Sequence, residues 1–406
     1  MKIAIVGAGA SGMMSAIFAA KNGAKVTLIE RNDRVGKKIL ATGNGKCNFS
    51  NKFMDSFDFN SQNCDVYTDY ISHFDNLEVI SFFQNLGMLV KERNGYCYPR
   101  SEQATTVLDL LRLQLKQLNV EILTETYPIS ILKKKKDFEI TFHDNSKAFY
   151  NRVILSCGSL AGEKKHCEYS GYDYAKAFGH RLIPLVPALV QLRCQDKDLK
   201  SIAGVRCDAN IKLYINNSIA KEEFGELQLT DYGLSGIPIF QLSRFAAYGI
   251  YEKHDVYAQI DFLPEYDEKN WISYAYDKWN AMNKACSLEE YLQGFLNKKL
   301  NLFFIKKEGL KPDIPLNKLN FHDIKGLLLA MKHWKFTITG TNPFENAQVC
   351  AGGVSMMEVT NELESKIVPG LFFAGEILDV DGRCGGYNLQ WAWTSGYIAG
   401  KNASKS

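Results

Sequence analysis

Three glycines, Gly7, Gly9 and Gly12, stand at G-x-G-x-x-G spacing within KIAIVGAGASGMMSAIFAAKNGAKVTLIE, residues 2–30. That spacing serves one kind of chemistry, the holding of a dinucleotide pyrophosphate. Gly7 permits a tight turn, Gly9 leaves the backbone bare where a phosphate must approach, and Gly12 lets a helix pack closely on the strand before it. The free N–H groups and the dipole at that helix start favour the phosphate charge. Glu30 follows Gly12 by eighteen residues, near the spacing of about 20 for an acid that meets a ribose hydroxyl. These residues work only if they are positioned by a strand, a helix and a second strand. The pattern supplies all three: an apolar β-branched run at 2–6, a helical stripe of Met13, Ala16, Ile17 and Ala20, a stop at Gly23, and a buried strand at 25–30.

A second stretch with chemical potential comes directly after. RNDRVGKKILATGNGKCNFSN, residues 31–51, is rich in Gly, Asn and Lys and poor in apolar periodicity, so it reads as a long functional loop. Gly43, Asn44 and Gly45 permit close approach of a ligand to the backbone, and Lys37, Lys38 and Lys46 can neutralise phosphate. Cys47 lies in this loop without a partner cysteine nearby, which reads as a small packed thiol rather than half of a redox pair.

Composition narrows the class. The chain has 406 residues, 46% hydrophobic and 23% charged, with a net charge of +3. It is long enough for two or three domains, and the near-balance of charge argues against a nucleic-acid partner. The lysine run at 133–136 reads as a solvated hairpin turn. The ten cysteines show no C-x-x-C spacing, so no metal site is expected and the thiols read as free in a reducing compartment. The first residues already form a core strand and no apolar run reaches the roughly 18 residues of a membrane span. A cytoplasmic location without membrane contact is the expectation.

Further along, helices are expected over 74–86 and 101–118 and a parallel-type strand over 120–123. A three-stranded meander should occupy 128–150, and another buried strand 153–156. Near Pro184 to Pro187 the rhythm changes. Strands at 191–193, 210–215, 218–224 and 256–262 suggest a separate β unit, and 263–334 reads as mostly helical, with Trp271, Trp279, Tyr291 and Phe295 as core. A strand at 335–339, a buried strand at 370–375 and a last helix over 389–399, stopped by Gly400, complete the reading.

Five stretches together carry a family likeness: VGAGASGMMSA, KKILATGNGKCNFSN, YPRSEQATTVLDLL, TDYGLSGIPIFQLSR and the long run from CAGGVSMMEV to TSGYIAG. The chain resembles the BaiN-like family of FAD-dependent oxidoreductases, which includes proteins described as aminoacetone oxidases. The resemblance implies an α/β fold: a glutathione-reductase-type Rossmann FAD domain, with an inserted β-barrel domain and a small helical subdomain expected to cover the flavin. The corresponding boundaries are 1–189 and 342–406 for the FAD domain, 190–262 with 335–341 for the barrel, and 263–334 for the helices. It implies that Gly7, Gly9, Ala10, Ser11, Gly12, Glu30 and Arg31 hold the ADP half of FAD. Lys38, Gly43, Asn44, Gly45, Cys47, Asn48 and Gly158 would lie along the pyrophosphate and flavin, and Gly375, Glu376 and Asp381 at the ribityl chain. Gly385, Gly386, Tyr387 and Asn388 would meet the pyrimidine end. Two motifs depart from the family: Ser156-Cys157-Gly158-Ser159 stands for A-T-G-G, and Asp231 stands where His is common.

The activity implied is hydride transfer between flavin N5 and a small organic substrate. The leading form is reduction of an enone-type C=C bond, steroid-like or bile-acid-like, with NADH or NADPH as transient donor. Oxygen-dependent oxidation of a small amine is one alternative. A role in tRNA modification is another, and flavin binding without turnover is the blandest. No second G-x-G-x-x-G follows a strand, so a nicotinamide would have to visit the flavin directly. No catalytic acid is assignable; Tyr98, Tyr387, Arg383 and Cys384 are candidates by their motifs alone. The sequence does not speak to oligomeric state.

Overall fold

The computed structural model describes residues 1–162 and 169–405; Cys167, read above as one of the free thiols, lies outside them. Two compact units divide the chain, residues 1–185 with 349–406, and residues 186–348.

The first unit is built on a five-stranded parallel sheet. Strands β1 (Lys2–Val6), β2 (Lys25–Ile29), β3 (Glu121–Leu123), β4 (Arg152–Leu155) and β5 (Leu371–Phe373) run in the order β5-β4-β1-β2-β3. β1 and β2 are buried at every position after a leading lysine, as strands covered on both faces must be. Helix α1 (Ala10–Lys21) crosses over between them, and Gly23 turns the chain back with φ +85°. β5 is supplied from more than two hundred residues downstream and pairs in parallel register with β4, Val153 opposite Leu371. The meander 128–150 forms as expected, and Lys134 N–H closes its lysine-bearing turn on Asp137 O at 2.8 Å.

The last helix, Tyr387–Ala403, runs through the expected stop at Gly400. The reason is packing. A Cβ on Gly400 would lie 2.3 Å from Ser15 O, and one on Gly396 would lie 2.6 Å from Ser11 O. Both glycines let this helix press against α1, so the second one marks a helix–helix contact and not a terminus. The loop expected over 31–51 is likewise partly ordered: Lys37–Ala41 is a short helix and Thr42–Gly45 a tight turn.

In the second unit six antiparallel strands close a barrel in the order Leu192–Cys194, Gly233–Ser235, Ser218–Leu229, Arg206–Ile215, Val256–Asp261 and Trp334–Thr341. Four helices, from Glu268–Ala281 to Phe321–His333, share its apolar core. Trp271 donates to Leu328 O at 2.8 Å and Tyr291 to Ala275 O at 2.7 Å, so these aromatics are satisfied core residues. In the TDYG turn the Thr230 hydroxyl accepts from Gly233 N–H at 3.0 Å, a local brace beside Asp231.

Candidate functional site

The glycine turn is locked from three sides. Gly7 adopts φ +102°, and a Cβ there would lie 2.4 Å from Ser156 O. Ser156 Oγ donates to Gly7 O at 2.8 Å, so the departure from A-T-G-G at this point adds a hydrogen bond to the turn. A Cβ on Gly12 would lie 1.9 Å from Gly7 O, whereas one on Gly9 would meet no atom within 4 Å. Gly9 is therefore bare toward open space, while its two companions are bare because the protein itself fills the room. Gly9 caps α1 without any side-chain hydrogen bond, and Ala10, Ser11 and Gly12 begin the helix whose first N–H groups lack intrahelical acceptors.

Glu30 is buried, but its carboxylate is engaged. One oxygen accepts from Ala8 N–H at 3.0 Å, the other from Asn32 N–H at 2.9 Å and Asn32 Nδ2 at 2.6 Å. It thus braces the glycine turn, and a ribose hydroxyl would share oxygens already in use. Arg31 stacks over Tyr127 at 4.9 Å and donates to Tyr169 O at 2.8 Å. Gly158, with φ +74°, has open space where a side chain would stand.

The 43–48 loop is wound in an unusual way. Gly43, Asn44, Gly45 and Cys47 all have positive φ, between 53° and 82°, which for Asn44 and Cys47 costs strain of about 1 kcal/mol or more each. Cys47 is fully buried, and loss of solvent pushes its thiol up to about 11, so it is an inert packed group. Lys38 pairs with Glu376 at 2.7 Å. The other Glu376 oxygen accepts from Cys350 N–H at 3.0 Å. Gly375 is fastened by Ser395 Oγ at 2.9 Å and Trp391 Nε1 at 3.1 Å, and has no room for a side chain beside Ser11. Asp381 is buried, its backbone paired with Asn60.

At the last helix the glycine pair has a structural reason not foreseen above. A Cβ on Gly386 would lie 2.5 Å from Ser50 O, and one on Gly385 2.7 Å from the Tyr96 ring. Their first service is close packing on the strand Ser50–Asn51 and on Tyr96, with Asn51 Nδ2 donating to Gly385 O at 2.9 Å. Asn388 spends its amide on the adjoining turn, accepting from Gly382 N–H at 2.8 Å and donating to Gly382 O at 2.7 Å. Tyr387 packs edge-on against Phe59; burial, with Asp58 beside it, drives its phenol upward. Burial likewise raises Asp58, which hydrogen-bonds with Tyr387. Beside Gly386, Asn48 Oδ1 is buried with no hydrogen-bond partner.

The structure thus brings Gly9, Ser11, Gly375, the 43–48 loop and the 385–388 corner into one unit. An open cradle at Gly9, unclosed helix N–H groups and an orphaned amide oxygen at Asn48 fit a dinucleotide that spans a phosphate end and a ring end. Tyr96, Ser50, Asn51 and Gln390, whose Oε1 accepts from Ser50 Oγ at 2.8 Å, were missed. Ser50 and Asn51 end the stretch read as a functional loop, Gln390 lies in the last of the five stretches that carry the family likeness, and Tyr96 stands in the YCYP alternation at 96–99. Among the described residues no cluster of His, Cys, Asp and Glu could hold a metal, and no helix is long and apolar enough to cross a membrane.

Comparison with known proteins agrees with this geometry. The family model described as the HI0933-like protein Rossmann domain matches residues 1–402. A 3-dehydro-bile acid delta(4,6)-reductase of Clostridium scindens is 40% identical over 407 residues, spanning 100% of this chain and 99% of its own. Ribosomal RNA dihydrouridine synthases of Escherichia coli and Haemophilus influenzae are 28% and 29% identical, each across 99% of this chain and 98% of their own.

Proposed function

The chain belongs to the HI0933-like Rossmann family and is an FAD-dependent oxidoreductase, and from that premise we propose that it reduces a C=C bond conjugated to a carbonyl, with NADH or NADPH as electron donor. The observation that carries this reading is the end-to-end 40% identity with an enzyme named as a reductase of an unsaturated 3-dehydro-bile acid. The names of the more distant relatives describe the same operation, hydrogen added to a C=C bond beside a carbonyl, here in a uracil ring.

Gly7, Gly9, Ala10, Ser11, Gly12, Glu30 and Arg31 would hold the ADP half of the cofactor. Lys38, Gly43, Asn44, Gly45, Cys47, Asn48 and Gly158 would line its middle, and Gly375, Glu376, Asp381, Gly385, Gly386, Tyr387 and Asn388 the ribityl and ring end. Bound FAD supplies hydride transfer; the protein supplies binding, orientation and electrostatics. The N–H groups that open α1 neutralise phosphate charge, and those that open the last helix favour negative charge at the ring end. The inert Cys47 thiol leaves no dithiol relay on this loop.

The test is anaerobic. NADH or NADPH should bleach the flavin, and a 4-en-3-one steroid should restore its colour under argon. Peroxide formed from aminoacetone in air, with every enone inert, would instead favour the amine oxidase. Uridine-containing rRNA fragments that reoxidise the flavin where steroids do not would move the substrate class to RNA.

A further inference from the structure

The strand Tyr96–Pro99 lies between Ser50–Asn51 and Val90–Arg93. Its burial alternates, with Cys97 and Pro99 buried on one face and Tyr96 and Tyr98 half-buried on the other. Period-two geometry sends both phenol side chains to the same side. Two glycines from distant parts of the chain come up to these rings. A Cβ on Gly385 would lie 2.7 Å from Tyr96 Cε1, and one on Gly43 3.8 Å from Tyr98 Cε1. Those glycines belong to the two segments assigned above to the flavin ring end and its approach.

The hydroxyls are the informative atoms. Two fully or nearly buried tyrosines, Tyr174 and Tyr291, give their O–H to backbone carbonyls, Pro128 O at 2.5 Å and Ala275 O at 2.7 Å. Neither Tyr96 nor Tyr98 has such a partner among the described residues. Two phenol donors on one face, uncommitted and beside the proposed flavin segments, suit an acceptor that arrives from outside. Burial and the neighbouring Tyr96 and Glu102 keep the Tyr98 proton on; Lys46 and Arg93 act the other way and do not prevail. Tyr98 is therefore a neutral donor at neutral pH.

We propose that Tyr96 and Tyr98 bind the carbonyl oxygen of the substrate, and that Tyr98 gives it a proton, in the reduction put forward above, on which this assignment rests. With FAD held by the residues assigned above, a hydride would reach the β carbon, the C=C π electrons would shift toward the carbonyl, and an enolate would develop on oxygen. The Tyr98 O–H bond breaks and an enol O–H forms. The enol tautomerises in water to the saturated ketone, and the Tyr98 phenolate regains a proton from water. The two electrons would be supplied by the nicotinamide donor by way of bound FAD. Hydrogen-bond donors held in place at a developing oxyanion lower the barrier without having to reorganise during the reaction.

The test uses Tyr98→Phe, Tyr96→Phe and the double variant, which keep the rings that the glycines pack against. Stopped-flow reoxidation of the NAD(P)H-reduced protein by a 4-en-3-one steroid should slow on the order of a hundred- to ten-thousandfold in Tyr98→Phe. Flavin content and the rate of flavin reduction should stay at the wild-type level. A second readout needs no turnover: the same steroid bound to the oxidised protein should show a red-shifted enone absorption that shrinks in each single variant and vanishes in the double one. Variants that reoxidise as fast as wild type with the shift intact would overturn the assignment and leave the enone reading standing. Wild-type protein that no enone reoxidises would sink both.

Discussion

Gly9 and Gly386 each precede a helix, and they are glycine for opposite reasons. A side chain on Gly9 meets empty space, whereas one on Gly386, at φ +97°, runs into Ser50 O. Gly9→Val should therefore fold, at a cost of about 1 kcal/mol for a poorer cap, yet lose FAD because the branch enters the pyrophosphate path. Flavin content against circular dichroism checks this, and full occupancy in the variant would show that the phosphate lies elsewhere. Gly386→Val should instead lose on the order of 3 kcal/mol of stability through strain and overlap, visible as a lower urea midpoint whether or not FAD is present. The sequence displayed both glycines but not this difference. Spacing identified the fingerprint at Gly7, Gly9 and Gly12 because those residues act within one local turn. The work of Gly386 depends on Ser50, far off in the chain, and no local pattern records that. Cys47 was legible as an inert thiol from the absence of a partner; its fully buried position gives the physical cause.

Among the elements, the contact of α1 with the last helix is the tightest to test. Gly400→Val should cost about 1–3 kcal/mol by overpacking against Ser15, measured by urea unfolding; a variant as stable as wild type would mean that the helices separate freely. A second element-level joint ties residues 180–181 to the segment 355–368. Buried His180 bonds Glu358 through Nδ1 at 3.0 Å and Ser365 through Nε2 at 2.8 Å. Desolvation lowers the His180 pKa, with Glu358 opposing, so between the depressed folded value and the ordinary one near 6.5 the unfolded chain binds more protons. Stability should then fall as pH drops through that window, and His180→Gln should flatten the slope. An unchanged slope in denaturation at several pH values would exclude His180 as the source. Most of the expected strands and helices were readable from periodicity, but the strands Val90–Arg93, Leu182–Ala188 and Val349–Val354 and the helix Gly171–Ala177 were not foreseen. The misplaced stop at Gly400 shows the limit: a glycine that serves a neighbouring helix is indistinguishable, in one sequence, from a glycine that ends its own.

For the whole molecule, every residue proposed to touch FAD lies in the first unit, 1–185 with 349–406. Ligand that binds only the folded state stabilises by about 2.7 kcal/mol at a hundredfold excess over Kd. In calorimetry of flavin-stripped protein, added FAD should raise the transition of that unit and leave the barrel unit's transition in place; equal shifts in both would place cofactor contacts on the barrel as well. The cofactor released by acid should be FAD and not FMN, since the Gly7–Glu30 unit is built for the ADP half. The change of rhythm near Pro187 announced a second unit from composition alone. That the first unit resumes afterwards, with β5 completing its sheet, was visible only through family resemblance, because strand pairing across an insertion leaves no periodic mark.

That resumption sets a schedule for synthesis. A ribosome adds about 5–20 residues per second, so the intervening unit, residues 186–348, takes roughly ten to thirty seconds to emerge. Throughout that interval β4 presents an unpaired edge, and α1 lacks the helix that Gly396 and Gly400 fit against it. The nascent chain must wait with its nucleotide fold unfinished, an exposure that invites chaperone attention. If residues 375–388 hold the cofactor as proposed above, they leave the tunnel only after that interval, and capture of FAD is completed late in synthesis.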